Sequence, residues 1–119
     1  MNLTEVLYTS AVPIESYGPG FFRIAGQVIE GGALIHAGGA RSWGGYEDTE
    51  TVTAMAGEID FILLGTGDTM TPVPAAFRAT LQEAGIGIEP MATPSACRTY
   101  NVLVSEGRRV AAVLVPVTA

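Results

Sequence analysis

Lysine is missing from this chain altogether, and its basic residues are six scattered arginines. Without lysine there is no Schiff-base nucleophile, no lysine base and no phosphate-loop lysine of the Walker type. A genome biased toward arginine and alanine codons accounts for the gap equally well, and the exclusion holds either way. With a net charge of −6, the chain has no basic stripe to neutralise nucleic-acid phosphates and no polybasic run for an anionic membrane. Nucleic acid is therefore not an expected partner.

Cysteine is nearly missing too. Cys97 has no second cysteine to pair with, and His36 is the single histidine, so neither an internal disulfide nor a structural zinc site is expected. No run approaches the roughly 18 apolar residues of a membrane span. The start, MNLTEVLYTS, lacks the basic and apolar segments of a secretory signal, so direct membrane insertion is not expected and the cytoplasm is the expected location.

What is present suits a folded α/β domain. Apolar residues make up 48% of 119 and charged ones 15%, a balance that supports one core; residues 1–119 read as a single domain. Residues 1–20 read as a lead-in ending at Gly18-Pro19-Gly20, followed by a strand near 21–25. Gln27–Glu30 and Ala33–His36 flank Gly31-Gly32, which predicts a tight hairpin in the N-terminal part of the chain. His36 at its end reads as a structural histidine, with no chemistry assigned. Residues 38–46 are dense in glycine and read as an ordered loop around Trp43. Asp48 or Thr49 caps a short helix carrying Val52 and Met55, ended by Gly57. Glu47, Asp48 and Glu50 complement that helix dipole rather than bind a metal.

The second half alternates regularly. Ile59–Leu64 is a nearly continuous apolar run, as in a strand covered on both faces of a parallel sheet. Gly65-Thr66-Gly67-Asp68 ends it, and Ala75–Glu83 follows as a helix with Phe77 and Leu81 on one face. Ile86–Glu89 predicts a second strand, residues 91–94 a turn and residues 95–105 a helix whose Tyr100, Leu103 and Val104 face the core. Arg109–Val115 closes the chain as a central strand.

Ligands of open α/β sheets gather at the carboxyl ends of parallel strands. Here those ends lead to Gly65-Thr66-Gly67 and to Thr93-Pro94-Ser95-Ala96, each opening into a helix whose free N–H groups favour an anion. The hydroxyls of Thr66, Thr93 and Ser95, the charge of Arg98, and Tyr100 and Asn101 on the same helix complete a candidate binding cleft. The same threonines also suit helix capping, and the same glycines tight turns. Cys97, in the first turn beside Arg98, reads as a buried thiol in preference to a nucleophile. No catalytic residues, metal site or cofactor are assigned.

The series Leu63-Leu64-Gly65-Thr66-Gly67, Gly85-Ile86-Gly87-Ile88-Glu89 and Thr93 through Leu103, with Tyr17-Gly18-Pro19-Gly20-Phe21-Phe22-Arg23-Ile24 and Ser42-Trp43 before it, closely resembles the Mth938-like family, also called the domain-of-unknown-function 498 family. The match spans nearly the whole chain. The resemblance implies a three-layer α/β fold with a mixed central β-sheet. The family includes a mitochondrial assembly factor for respiratory complex I, and bacterial members look like its relatives. It thus implies a noncatalytic interaction or assembly role, with complex I subunits or assembly intermediates as partners. It transfers no catalytic residues, only Gly65–Gly67 and Thr93–Asn101 as a candidate surface. The alternative from the loop chemistry is a small-anion-binding protein or enzyme.

Overall fold

Two five-residue apolar strands, Phe61–Gly65 (β7) and Val110–Leu114 (β9), run parallel at the centre of the molecule. Both are apolar throughout because each face of the sheet they form is covered. Val110, Ala112 and Leu114 enter one core, Ala111 and Val113 the other, and Leu63 and Ile62 divide the same way.

The structure is a computed structural model and describes residues 12–118 together with the strand Glu5–Leu7 (β1). In chain order it continues with strands Ile14–Gly18 (β2), Phe21–Ile24 (β3), Gln27–Glu30 (β4), Gly32–His36 (β5) and Gly39–Trp43 (β6), then helix Thr49–Thr53 (α1). After β7 come helix Ala75–Glu83 (α2), strand Gly87–Met91 (β8), helix Thr93–Ser105 (α3) and β9. The main sheet has six strands in the order β1-β6-β5-β9-β7-β8, and β2-β3-β4 form a separate three-stranded sheet. The β9–β7–β8 pairs are parallel and the β1–β6–β5–β9 pairs antiparallel, so the main sheet is mixed.

Three layers result. On one face, α3 supplies Ala96, Cys97, Tyr100 and Val104, and the small sheet supplies Ile14, Phe22, Ile24 and Ile29. On the other, α1 and α2 supply Val52, Phe77 and Leu81, beside Trp43, whose ring lies 5.6 Å from Tyr46 and 5.9 Å from Phe77. Such offset and edge-on aromatic pairs complement each other's quadrupoles.

Most of the expected elements form, including the three helices, the parallel pair and the central last strand. Three expectations need correction. The stretch 1–20 is more than a lead-in, since it contains β1 and β2. Residues 38–46 are not a loop throughout, because Gly39–Trp43 pairs with β5 across the two-residue turn Ala37-Gly38. Nor do β4 and β5 pair with each other: β4 pairs with β3, and β5 pairs with β6 and β9. The hairpins of this region are β2–β3, β3–β4 and β5–β6. Gly31, at φ +79°, turns the chain from one sheet into the next. Gly32 has no side chain because a Cβ there would stand 2.5 Å from the Trp43 carbonyl oxygen.

Candidate functional site

At the carboxyl end of the parallel strands, Gly65 of β7 lies in register with Met91 of β8. The chain passes outward from β7 to β8 through α2, then returns across β7 to β9 through α3. Right-handed crossovers in opposite directions place their helices on opposite faces of a sheet, as the two cores record. The loops after β7 and β8 therefore part at a switch point, the usual position of a ligand crevice.

Here the crevice is filled by Thr93. Its backbone N–H donates to the Gly67 carbonyl at 2.8 Å, its Oγ1 accepts from the Gly67 N–H at 2.9 Å, and its hydroxyl donates to the Val115 carbonyl at 2.7 Å. The Thr66 N–H donates to the Met91 carbonyl at 2.9 Å, and its hydroxyl donates to the Thr69 carbonyl at 2.8 Å while accepting from the Thr71 N–H at 3.0 Å. The Thr66 and Thr93 hydroxyls, expected to reach a ligand, are thus spent on the protein's own backbone, as buried polar groups require.

Of the nine cleft residues, Gly65, Thr66, Gly67 and Thr93 come together but are buried, while Ala96 and Tyr100 belong to the core under α3. Arg98 lies exposed, reaching Ser95 Oγ at 3.4 Å, so these two form a surface pair. Asn101 points the other way. Its Oδ1 accepts from the Ile14 N–H at 2.8 Å and its Nδ2 donates to the Ile14 carbonyl at 3.0 Å, so the amide acts as a strand partner and ties α3 to β2. Burial pushes the Cys97 thiol up to about 12, with Arg98 opposing weakly, which keeps the sulfur protonated and poorly nucleophilic at neutral pH.

A concavity of about 340 Å³ lies at the opposite end of the main sheet. Its floor is Met55, Ile59, Val104 and Val110, all nearly buried. Its rim carries His36, Glu58, Arg108 and Arg109. The His36 Nδ1 accepts from the Gly38 N–H at 3.1 Å, which fixes the β5–β6 turn. Arg109 donates to the Gly57 carbonyl at 2.6 Å and pairs with Asp60 at 3.4 Å. The Arg108 guanidinium stands 5.8 Å over the Phe61 ring. Sequence reasoning missed this place because residues 36–38, 55–59 and 104–110 meet only through the topology. The available signal was that His36, Glu58 and Arg108-Arg109 all fall at element ends on one pole of the sheet.

Among the described residues no three His, Cys, Asp or Glu side chains gather to hold a metal ion, and no helix is long and apolar enough to cross a membrane.

A family model described as "protein of unknown function (DUF498/DUF598)" matches residues 14–115. An uncharacterised protein of Rhodobacter capsulatus is 50% identical over 109 residues, covering 92% of this chain and 88% of that protein. NADH dehydrogenase (ubiquinone) 1 alpha subcomplex assembly factor 3 of Danio rerio is 32% identical over 110 residues, 87% of this chain but 63% of the longer relative. Among solved structures, one described as an outer membrane protein from Bartonella henselae superposes with a TM-score of 0.81 at 34% identity, covering 92% of this chain and 98% of that one. A Mth938-like domain from Bordetella pertussis shares the fold with a TM-score of 0.73 at 24% identity, over 92% of this chain and 88% of that one.

Proposed function

The chain belongs to the DUF498/DUF598 family of proteins of unknown function, and from that premise we propose that it is a noncatalytic interaction factor that assists the assembly of respiratory complex I. The observation that carries this reading is the kinship with complex I assembly factor 3, which runs through nearly the whole of this chain. The geometry supports the noncatalytic part. The crevice in which an enzyme of this architecture holds its ligand is occupied by Thr93, and the one thiol is buried and protonated.

The test is affinity purification of the tagged protein from its native cells after gentle crosslinking, read by mass spectrometry. Enrichment of complex I subunits or assembly intermediates is the expected result. Recovery of no such protein, at normal expression and with intact complex I in a deletion strain, overturns the reading. The small-anion alternative at Thr66, Thr93, Ser95 and Arg98 requires Thr93 to release its backbone partners. It predicts phosphate-dependent thermal stabilisation that disappears in Arg98→Ala.

A further inference from the structure

The concavity at the amino ends of β7 and β9 lies on the seam between the two cores. Val104 and Val110 come from the core beneath α3, Met55 and Ile59 from the core beneath α1 and α2. Three connections meet there, the β5–β6 turn, the α1–β7 segment and the α3–β9 turn, so floor and rim are set by the whole fold. A volume of about 340 Å³ is at the small end for a ligand site, and an apolar floor with a few convergent polar groups is the usual composition.

The charges around it are unequal. Arg108 and Arg109 are the one place in the sequence where two cations are adjacent, in a chain of six basic and twelve acidic residues. Arg109 already has Asp60 and the Gly57 carbonyl. Arg108 has the Phe61 ring face and no carboxylate partner among the described residues, so its donors at the rim remain available to an anion. Glu58 is the opposing charge on the same rim and would repel one.

We propose that this concavity binds an amphipathic carboxylate, with its hydrocarbon on Met55, Ile59, Val104 and Val110 and its carboxylate at Arg108. This site is independent of the assembly role and of the crevice at Thr93.

The experiment is an amide-resolved NMR titration of the full chain with octanoate, using octan-1-ol as the uncharged probe of the same length. Saturable shifts are expected at Gly38, Ile59 and Gly107, with octan-1-ol weaker by about two- to fivefold, the usual range for one exposed charge pair. Arg108→Ala, a change at an exposed side chain, weakens octanoate by a similar factor and leaves octan-1-ol unchanged. Glu58→Gln tightens octanoate. The opposite signs of the two variants separate charge recognition from a general loss of structure. Shifts confined to other residues, lack of saturation, equal binding of octan-1-ol, or octanoate affinity indifferent to Arg108→Ala each overturn the proposal.

Discussion

Two hydroxyls in this protein show how strongly context decides the worth of a polar atom. The Thr93 hydroxyl is fully buried and serves two backbone groups, the Gly67 N–H and the Val115 carbonyl. Thr93→Val keeps the shape and leaves both partners stranded, at a cost of about 1–3 kcal/mol for each buried group left unpaired. The Tyr46 hydroxyl is buried with no hydrogen-bond partner among the described residues, and burial raises its pKa. Tyr46→Phe removes a desolvated group and keeps the ring on Trp43 and Phe77, so its stability stays within about 0.5 kcal/mol of the parent or rises. Urea denaturation of both variants checks the contrast; equal losses would mean that the Thr93 hydrogen bonds contribute little. Neither outcome was legible in the sequence. A threonine before a helix signals a cap, and only the meeting of β7, α3 and the segment after β9 turns it into a three-way tie.

At the scale of elements, the close approach of α3 to β7 depends on Gly65. A Cβ there would stand 2.7 Å from Thr93 Oγ1, 2.9 Å from Leu114 Cδ2 and 3.0 Å from Thr93 Cα. The last of these is backbone, so the start of α3 must move as a unit. Gly65→Ala is expected to destabilise by about 1–3 kcal/mol, as overpacking of a close contact does. Faster amide exchange at Gly67 and Thr93 would accompany it, and an unchanged denaturation midpoint would show that α3 slides freely on the sheet. The strand–loop–helix order around Gly65 could be read from the sequence because apolar runs and glycine stops are local signals. The β4–β5 connection could not. A glycine pair reports a sharp turn but not which strands pair across it, and Gly31-Gly32 crosses between sheets. The turn that does join β3 to β4 is Ala25-Gly26, with both residues at positive φ, 52° and 74°. Alanine gives no hint of that conformation. The strand β6 was hidden for the opposite reason, since glycines at 38, 39, 44 and 45 mask a paired segment whose Ala40 and Trp43 are buried.

For the molecule as a whole, the question is whether two cores on opposite faces of one sheet behave as one. β9 faces both, and so do β5 and β7, which argues for a single cooperative transition in a chain of this size. The small sheet is the element whose membership is least assured by hydrogen bonding, because β2-β3-β4 is a separate sheet. Its attachment rests on Ile14, Phe22, Ile24 and Ile29 in the core beneath α3, on the Asn101 bridge to Ile14, and on the Gly20 N–H to Val117 carbonyl bond at 3.0 Å. Ile24→Ala tests it. Ile24 is fully buried, and truncation there costs about 2–5 kcal/mol of whatever unit it belongs to. Trp43 lies in the other core and is the single tryptophan, so its fluorescence reports on a region Ile24 does not enter. If the layers are coupled through the shared strands, the Trp43 midpoint in urea falls by the same amount as the far-ultraviolet circular dichroism midpoint. A dichroism change that comes early while the Trp43 transition stays in place would make the small sheet a separately melting layer.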